Sequence, residues 1–190
     1  MSIATPVWIG LGSGIGVVLL AWMGIRLGRA WAGYRARRLH RAFLKLTPWV
    51  VNNRILPDGL GGWIHADFLV LTPCALHWIS VFQVEGSVFG SHNMAEWTVL
   101  DSQKRWTFPN PLLAIPQKSG ALHALIGDTI PIVMDWLFLG DPAFPKGRVE
   151  GVWLLDECFE RLKRELDPSR PLPEAWQDLW KQLLTVSAEP

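Results

Sequence analysis

The sequence predicts an α/β domain of strands with flanking helices, preceded by one N-terminal transmembrane helix. Three observations predict it. Val7–Ile25 is a run of nineteen residues without a charge, which at about 1.5 Å per helical residue nearly spans a hydrocarbon core of about 30 Å. Between Trp63 and Gly90 lie two apolar runs of strand length, Asp67–Pro73 and Leu76–Val84. Towards the C-terminus the period changes to that of helices, with Leu155, Phe159, Leu162 and Leu166 on one stripe and Trp176, Leu179, Trp180, Leu183 and Leu184 on another.

The charge distribution orients the predicted span. Residues 1–57 carry eight Lys or Arg and no acid, whereas residues 58–190 carry ten bases against seventeen acids, so the two parts have net charges of +8 and −7. The basic cluster Arg26, Arg29, Arg35, Arg37, Arg38, Arg41 and Lys45 follows the apolar run directly. By the positive-inside rule this places the N-terminus outside and the domain in the cytoplasm, as in a single-pass protein of a bacterial-type inner membrane. Trp8 and Trp31 flank the run as interfacial anchors do. A cleaved secretory signal fits less well, because no Lys or Arg precedes the apolar run. Two cysteines, Cys74 and Cys158, in a domain facing a reducing compartment predict free thiols.

The chain reads as four segments: the span over residues 1–28, a basic juxtamembrane helix over 29–48, the α/β domain over 49–166, and a linker with an amphipathic helix over 167–190. In the second segment Tyr34–Leu46 is helical in pattern, with Leu39, Phe43 and Leu46 on one face, and Pro48 ends it. Its arginines Arg35, Arg37, Arg38 and Arg41 are candidate contacts for anionic lipid headgroups of the inner leaflet, at about 1 kcal/mol per basic side chain, or for nucleic-acid phosphates. Gly10 with Gly14, Gly12 with Gly16 and Gly24 with Gly28 have the small-residue spacing of packed membrane helices, which makes a homodimer a candidate assembly.

Within the domain, Val50–Leu56 predicts a strand, and ProAspGlyLeuGlyGly at Pro57–Gly62 a turn. Trp97–Leu100 predicts another strand, Pro111–Leu125 a helix, and Ile130–Leu139 a buried strand containing Asp135 as a second acid. GlyAspProAlaPheProLys at Gly140–Lys146 reads as a loop. Gly151–Leu154 then leads into a helix capped near Asp156, on which Glu157 with Arg161 and Glu160 with Arg164 have the spacing of four-residue ion pairs. The Trp176 and Trp180 stripe of the last helix predicts docking on the chain's own domain.

Asp67 opens an apolar strand, where an unpaired carboxylate costs several kcal/mol, so it requires a partner. It is followed by GlySerValPheGly at Gly86–Gly90, by Trp97, and by PheProAsnProLeu at Phe108–Leu112. This order of residues resembles the NERD family of nuclease-related domains. The resemblance covers roughly residues 35–166, most specifically Asp67 to Leu112. It implies a restriction-endonuclease-like fold, in which a mixed sheet is flanked by helices, and a site in which an Asp on one strand is joined by GluXaaLys on the next.

Asp67 matches the first of those positions, but the Glu and Lys positions fall on Ser80 and Phe82. A metal-dependent phosphodiesterase of that kind holds a hard divalent cation on carboxylates and uses the lysine on the attacking water, and neither Ser80 nor Phe82 can do this. The family's first-helix Glu has no counterpart, since no acid precedes Asp58. Where a Gln follows the AsnPro stands Ala114, with Gln117 one helical turn further on. Asp67 is therefore expected to be a relic catalytic residue and metal ligand, in a membrane-anchored, catalytically inactive domain that acts as a binding or scaffold module. No cofactor is expected. The alternative is a metal-dependent DNA nuclease with a rearranged site, which would use Mg2+ or Mn2+. A partner, protein or nucleic acid, is not identified by these residues. His65, Asp67, Cys74 and His77 are four zinc-type side chains in thirteen residues, but strand alternation puts His77 on the face opposite Ser80.

Overall fold

The computed structural model describes residues 37–189, and the predicted span and Arg35 lie outside them. Among the described residues no helix is long and apolar enough to cross a membrane. Residues 37–44 are helical (α1), with Arg37, Arg38 and Arg41 exposed, and the compact domain begins at Phe43.

Seven strands form one mixed sheet: β1 (Val50–Pro57), β2 (Trp63–Leu71), β3 (Leu76–Phe89), β4 (Glu96–Leu100), β5 (Arg105–Pro109), β6 (Ile132–Ala143) and β7 (Val152–Leu154). β1 to β5 are joined antiparallel in sequence order, while β6 lies parallel to β3 and carries β7 parallel on its far side. Helices α2 (Ile115–Ile126), α3 (Leu155–Glu165) and α4 (Glu174–Val186) flank the sheet, and a 3-10 turn at Pro111–Ala114 leads into α2. A parallel pair requires a long crossover, and here residues between β3 and β6 supply it with β4, β5 and α2.

β3 is the axis. Its register with β6 runs from Leu76↔Ile132 to Ser87↔Ala143, so the opposite edge is left to β2 and β4. β2 pairs with it only from Phe68↔Ile79 to Leu71↔Leu76, and β4 only from Ser87↔Leu100 to Phe89↔Thr98. Between Ser80 and Gly86 that edge has no strand beside it.

Alternation then sorts the side chains into two faces. On one, Leu69, Leu71, Leu76 and Trp78 pack with Leu122 and Ile126 of α2 and with Trp180 and Leu183 of α4. The predicted Trp176 and Trp180 stripe thus docks on its own domain, and Ala188 just beyond α4 bridges to Ile55 of β1. Further along the same face, Phe82, Val84, Val88, Trp97, Phe138 and Phe108 form an aromatic-rich cluster. On the other face Phe43 lies 5.0 Å from Phe68 and 4.8 Å from Phe159 of α3, ring centre to ring centre.

The family-like glycine, tryptophan and asparagine signals all have packing reasons. Gly86 has φ +98 and its α-carbon abuts the Leu100 carbonyl of β4, and Gly90 lies flat against the Trp97 indole. The Trp97 Nε1–H donates to the Ser91 carbonyl at 3.2 Å. Buried Asn110 donates through Nδ2 to the carbonyls of Ser91, His92 and Met94, and its Oδ1 accepts from the Leu112 N–H at 3.0 Å, capping the 3-10 turn.

Three local expectations are corrected. β6 runs on through Gly140, Asp141 and Pro142 to Ala143, where a loop was expected, because pairing with Val84–Ser87 of β3 holds it extended. β5 was not anticipated; it pairs only with β4, and its alternate residues are exposed. On α3 the four-residue ion pairs are replaced by others: Glu157 pairs with Arg148, Glu160 with Lys163, and Arg161 with Asp135 and Glu165.

Gly90→Ala should drive a methyl into the Trp97 ring and destabilise the domain by about 1–3 kcal/mol. Gly120→Ala, where a β-carbon on α2 meets nothing within 4 Å, should stabilise it by about 0.5–1 kcal/mol. Urea unfolding followed by tryptophan fluorescence reads both.

Candidate functional site

Asp67 sits where β2 stops pairing with β3, and its carboxylate Oδ2 accepts the Val81 N–H at 2.9 Å. The side chain thereby replaces the ladder bond that a strand would have made on the open edge of β3. On the same face Ser80 is buried, and its Oγ accepts a 2.6 Å hydrogen bond from the Lys118 ammonium. Lys118 comes from the first turn of α2 and lies 5.4 Å from the centre of the Trp78 ring, within cation–π range. Burial pushes its pKa down, and the negative charge of Asp67 pushes back. Asp67 Oδ1 is also 3.6 Å from His65 Nδ1 at the surface.

The structure therefore brings Asp67 and Ser80 to one end of the hairpin and adds Lys118. Gln117, the expected follower of AsnPro, is exposed. Phe82 is remote from any polar chemistry: its ring stacks on Phe138 at 5.1 Å and tilts against Phe108 at 5.5 Å.

These residues do not fit a divalent cation. Mg2+ or Mn2+ is held by hard oxygens, usually one or two carboxylates with waters. Here one carboxylate is present, one of its oxygens is taken by a backbone N–H, and an ammonium stands beside Ser80. Among the described residues no group of three His, Cys, Asp or Glu side chains converges to hold a metal ion. His77, as alternation predicted, lies on the opposite face.

That opposite face holds a second polar centre. His77 is fully buried, with Nδ1 2.8 Å from Asp135 Oδ2 and Nε2 2.7 Å from Glu165 Oε2. Asp135 Oδ1 accepts from the Trp153 Nε1–H and from Arg161 Nη1, each at 2.7 Å. Arg161 Nε reaches Glu165 Oε1 at 3.2 Å, its guanidinium lies 4.8 Å from the Trp153 ring, and the Thr72 hydroxyl donates to Glu165 Oε2 at 3.0 Å. Two carboxylates thus face two cations. Burial alone would lower the His77 pKa, but hydrogen bonds and charge from Asp135 and Glu165 raise it. Burial would raise that of Glu165, and bonding to His77 and Thr72 with the Arg161 charge lowers it instead. Cys158 beside them is pushed up to about 12, chiefly by burial, and stays a thiol. Every acceptor faces a donor already, so this centre ties β3, β6, β7 and α3 together and offers no free nucleophile or base. Of its members, Asp135 was conspicuous in the sequence as an acid in an apolar run, and His77 by its face; Glu165 carried no signal.

An open groove of about 950 Å³ runs beside the N-terminal half of β6, lined by Met134, Trp136, Leu112 and Ile115 on one side and by Asp135, Trp153 and Arg161 on the other. It does not include Asp67, Ser80 or Lys118. No protein-family model, curated protein or solved structure matches this chain.

The His77 shift sets a pH dependence. A histidine whose folded pKa is raised gives stability that is complete below its unfolded pKa of about 6.5 and disappears as pH rises through the folded value. Glu165, shifted down, loses its contribution only as pH falls through its own depressed value. Unfolding by urea should therefore show wild-type stability falling as pH rises above about 6.5, with that part of the slope absent in His77→Gln. His77→Leu, which leaves buried Asp135 and half-buried Glu165 with one cation, should cost about 3–5 kcal/mol.

Proposed function

We propose that the chain is a membrane-anchored protein with a cytoplasmic, NERD-like domain of restriction-endonuclease-like fold that is catalytically inactive and acts as a binding or scaffold module. The observation that carries this reading is Phe82. At the position where the resemblance implies a catalytic lysine stands a phenylalanine packed against Phe108 and Phe138, a side chain with no group to take up or orient a proton of an attacking water.

Other observations support it. Asp67 and Ser80 share one end of the hairpin, which suits the ancestry; Asp67 serves β3 as a hydrogen-bond acceptor, and Ser80 serves Lys118. A mixed seven-stranded sheet flanked by helices is compatible with the proposed fold. The span Val7–Ile25 would be the anchor. The exposed Arg37, Arg38 and Arg41, together with Arg35, would meet the anionic inner leaflet in preference to nucleic acid, because they follow directly on the proposed span, which would hold them at the membrane surface.

The test is a cleavage assay on the full-length chain with single- and double-stranded DNA and with RNA, in Mg2+ and in Mn2+, beside an Asp67→Ala control. The reading predicts no cleavage by either protein. Cleavage by the wild type that Asp67→Ala abolishes would contradict it.

A further inference from the structure

Lys118 is the one charged side chain of α2 that turns under the sheet. Partial desolvation lowers its pKa, and the negative charge of Asp67 opposes the shift. The ammonium meets the Ser80 hydroxyl at 2.6 Å and the face of Trp78 at 5.4 Å, and the Asp67 carboxylate stands at the same end of the hairpin, on the Val81 N–H. A hydroxyl, a carboxylate and an aromatic face are the surroundings of a bound cation, and here the chain itself delivers that cation.

We propose that Lys118 is a built-in substitute for a divalent ion: its ammonium holds Ser80 at the Asp67 end of the hairpin, making this end closed to metal. The proposal builds on the inactive-domain reading by naming what keeps the site inactive. A doubly charged ion entering beside Asp67 would meet the charge of the half-buried ammonium on Ser80, where repulsion is less screened than in open water. The lysine cannot step aside cheaply. Its helix begins at a turn fixed by Asn110, whose side chain makes four hydrogen bonds, and its stem passes over Trp78 in the core.

Two experiments on the full-length chain test this, both with Mn2+ as the probe. In the first, paramagnetic broadening of the Val81 amide signal is titrated in the wild type and in Lys118→Gln, since that N–H is bonded to Asp67. Gln keeps a donor for Ser80 and removes only the charge. Broadening in Lys118→Gln should set in at a Mn2+ concentration about ten-fold lower than in the wild type. In the second, Ser80→Glu supplies a second carboxylate, and Mn2+ affinity is measured by calorimetry with and without Lys118→Gln; the double variant should bind about ten-fold or more tightly than Ser80→Glu alone. The amide titration needs no buried glutamate and so decides the matter even where Ser80→Glu fails to fold. Equal broadening in wild type and Lys118→Gln overturns the proposal. It would leave the inactive-domain reading standing, because that reading fails only on Asp67-dependent cleavage.

Discussion

The parallel pairing of β3 with β6 is the constraint on which the rest of the structure depends. It occupies one edge of β3 along nearly its whole length, so β2 and β4 must share the other edge and leave a gap between them. The gap creates the need for Asp67, whose carboxylate takes up the Val81 N–H that no strand reaches. It also determines what Gly86 is for, since a side chain there would strike the Leu100 carbonyl where β4 joins β3. Buried backbone groups cost free energy unless they are paired, and Asp67 meets that requirement for the Val81 N–H.

The two faces of the β3–β6 pair have been given different work. One is clamped by charge: His77, Asp135, Arg161 and Glu165 join two strands and a helix through bonds of 2.7 to 3.2 Å. Such a network does little for stability relative to an apolar core, but any single loss from it leaves a buried charge without its partner. The other face is filled by apolar side chains apart from the polar corner of Asp67, Ser80 and Lys118. Phe82 lies within this second face, continuous with Phe108, Phe138 and Trp97. Half-buried Phe82 packs against that cluster, and a lysine in its place would set a charge among aromatic rings.

Much of this was legible in the sequence. Continuous apolar runs announced β2, β3 and β6, and helical stripes announced α3 and α4, because burial on a sheet or a helix face leaves a period that residue order preserves. β5 escaped since an edge strand with alternate residues exposed needs no apolar run. The extension of β6 escaped because Gly140 and Pro142 signal a break locally, while the pairing that overrides them comes from β3, more than fifty positions earlier. At the candidate site the sequence placed Asp67, Ser80 and Phe82 and offered Gln117 on α2, which is exposed, while Lys118 carried no signal. What marks Lys118 is Ser80, a tertiary neighbour on β3 that helical phase does not reveal. Ion pairs on α3 were misassigned for a related reason, since tertiary partners such as Asp135 outcompete neighbours on an exposed helix surface.

The central claim is that the Asp67 end of the hairpin is complete without metal. The most direct measurement is the thermal unfolding of the full-length wild-type chain in EDTA and in a millimolar excess of Mg2+, at constant ionic strength. A site that binds only in the folded state raises stability by RT ln(1 + [L]/Kd), about 2.7 kcal/mol at a hundred-fold excess over Kd. The account predicts coincident unfolding curves. A rise in Tm with Mg2+ that disappears in Asp67→Asn would contradict it.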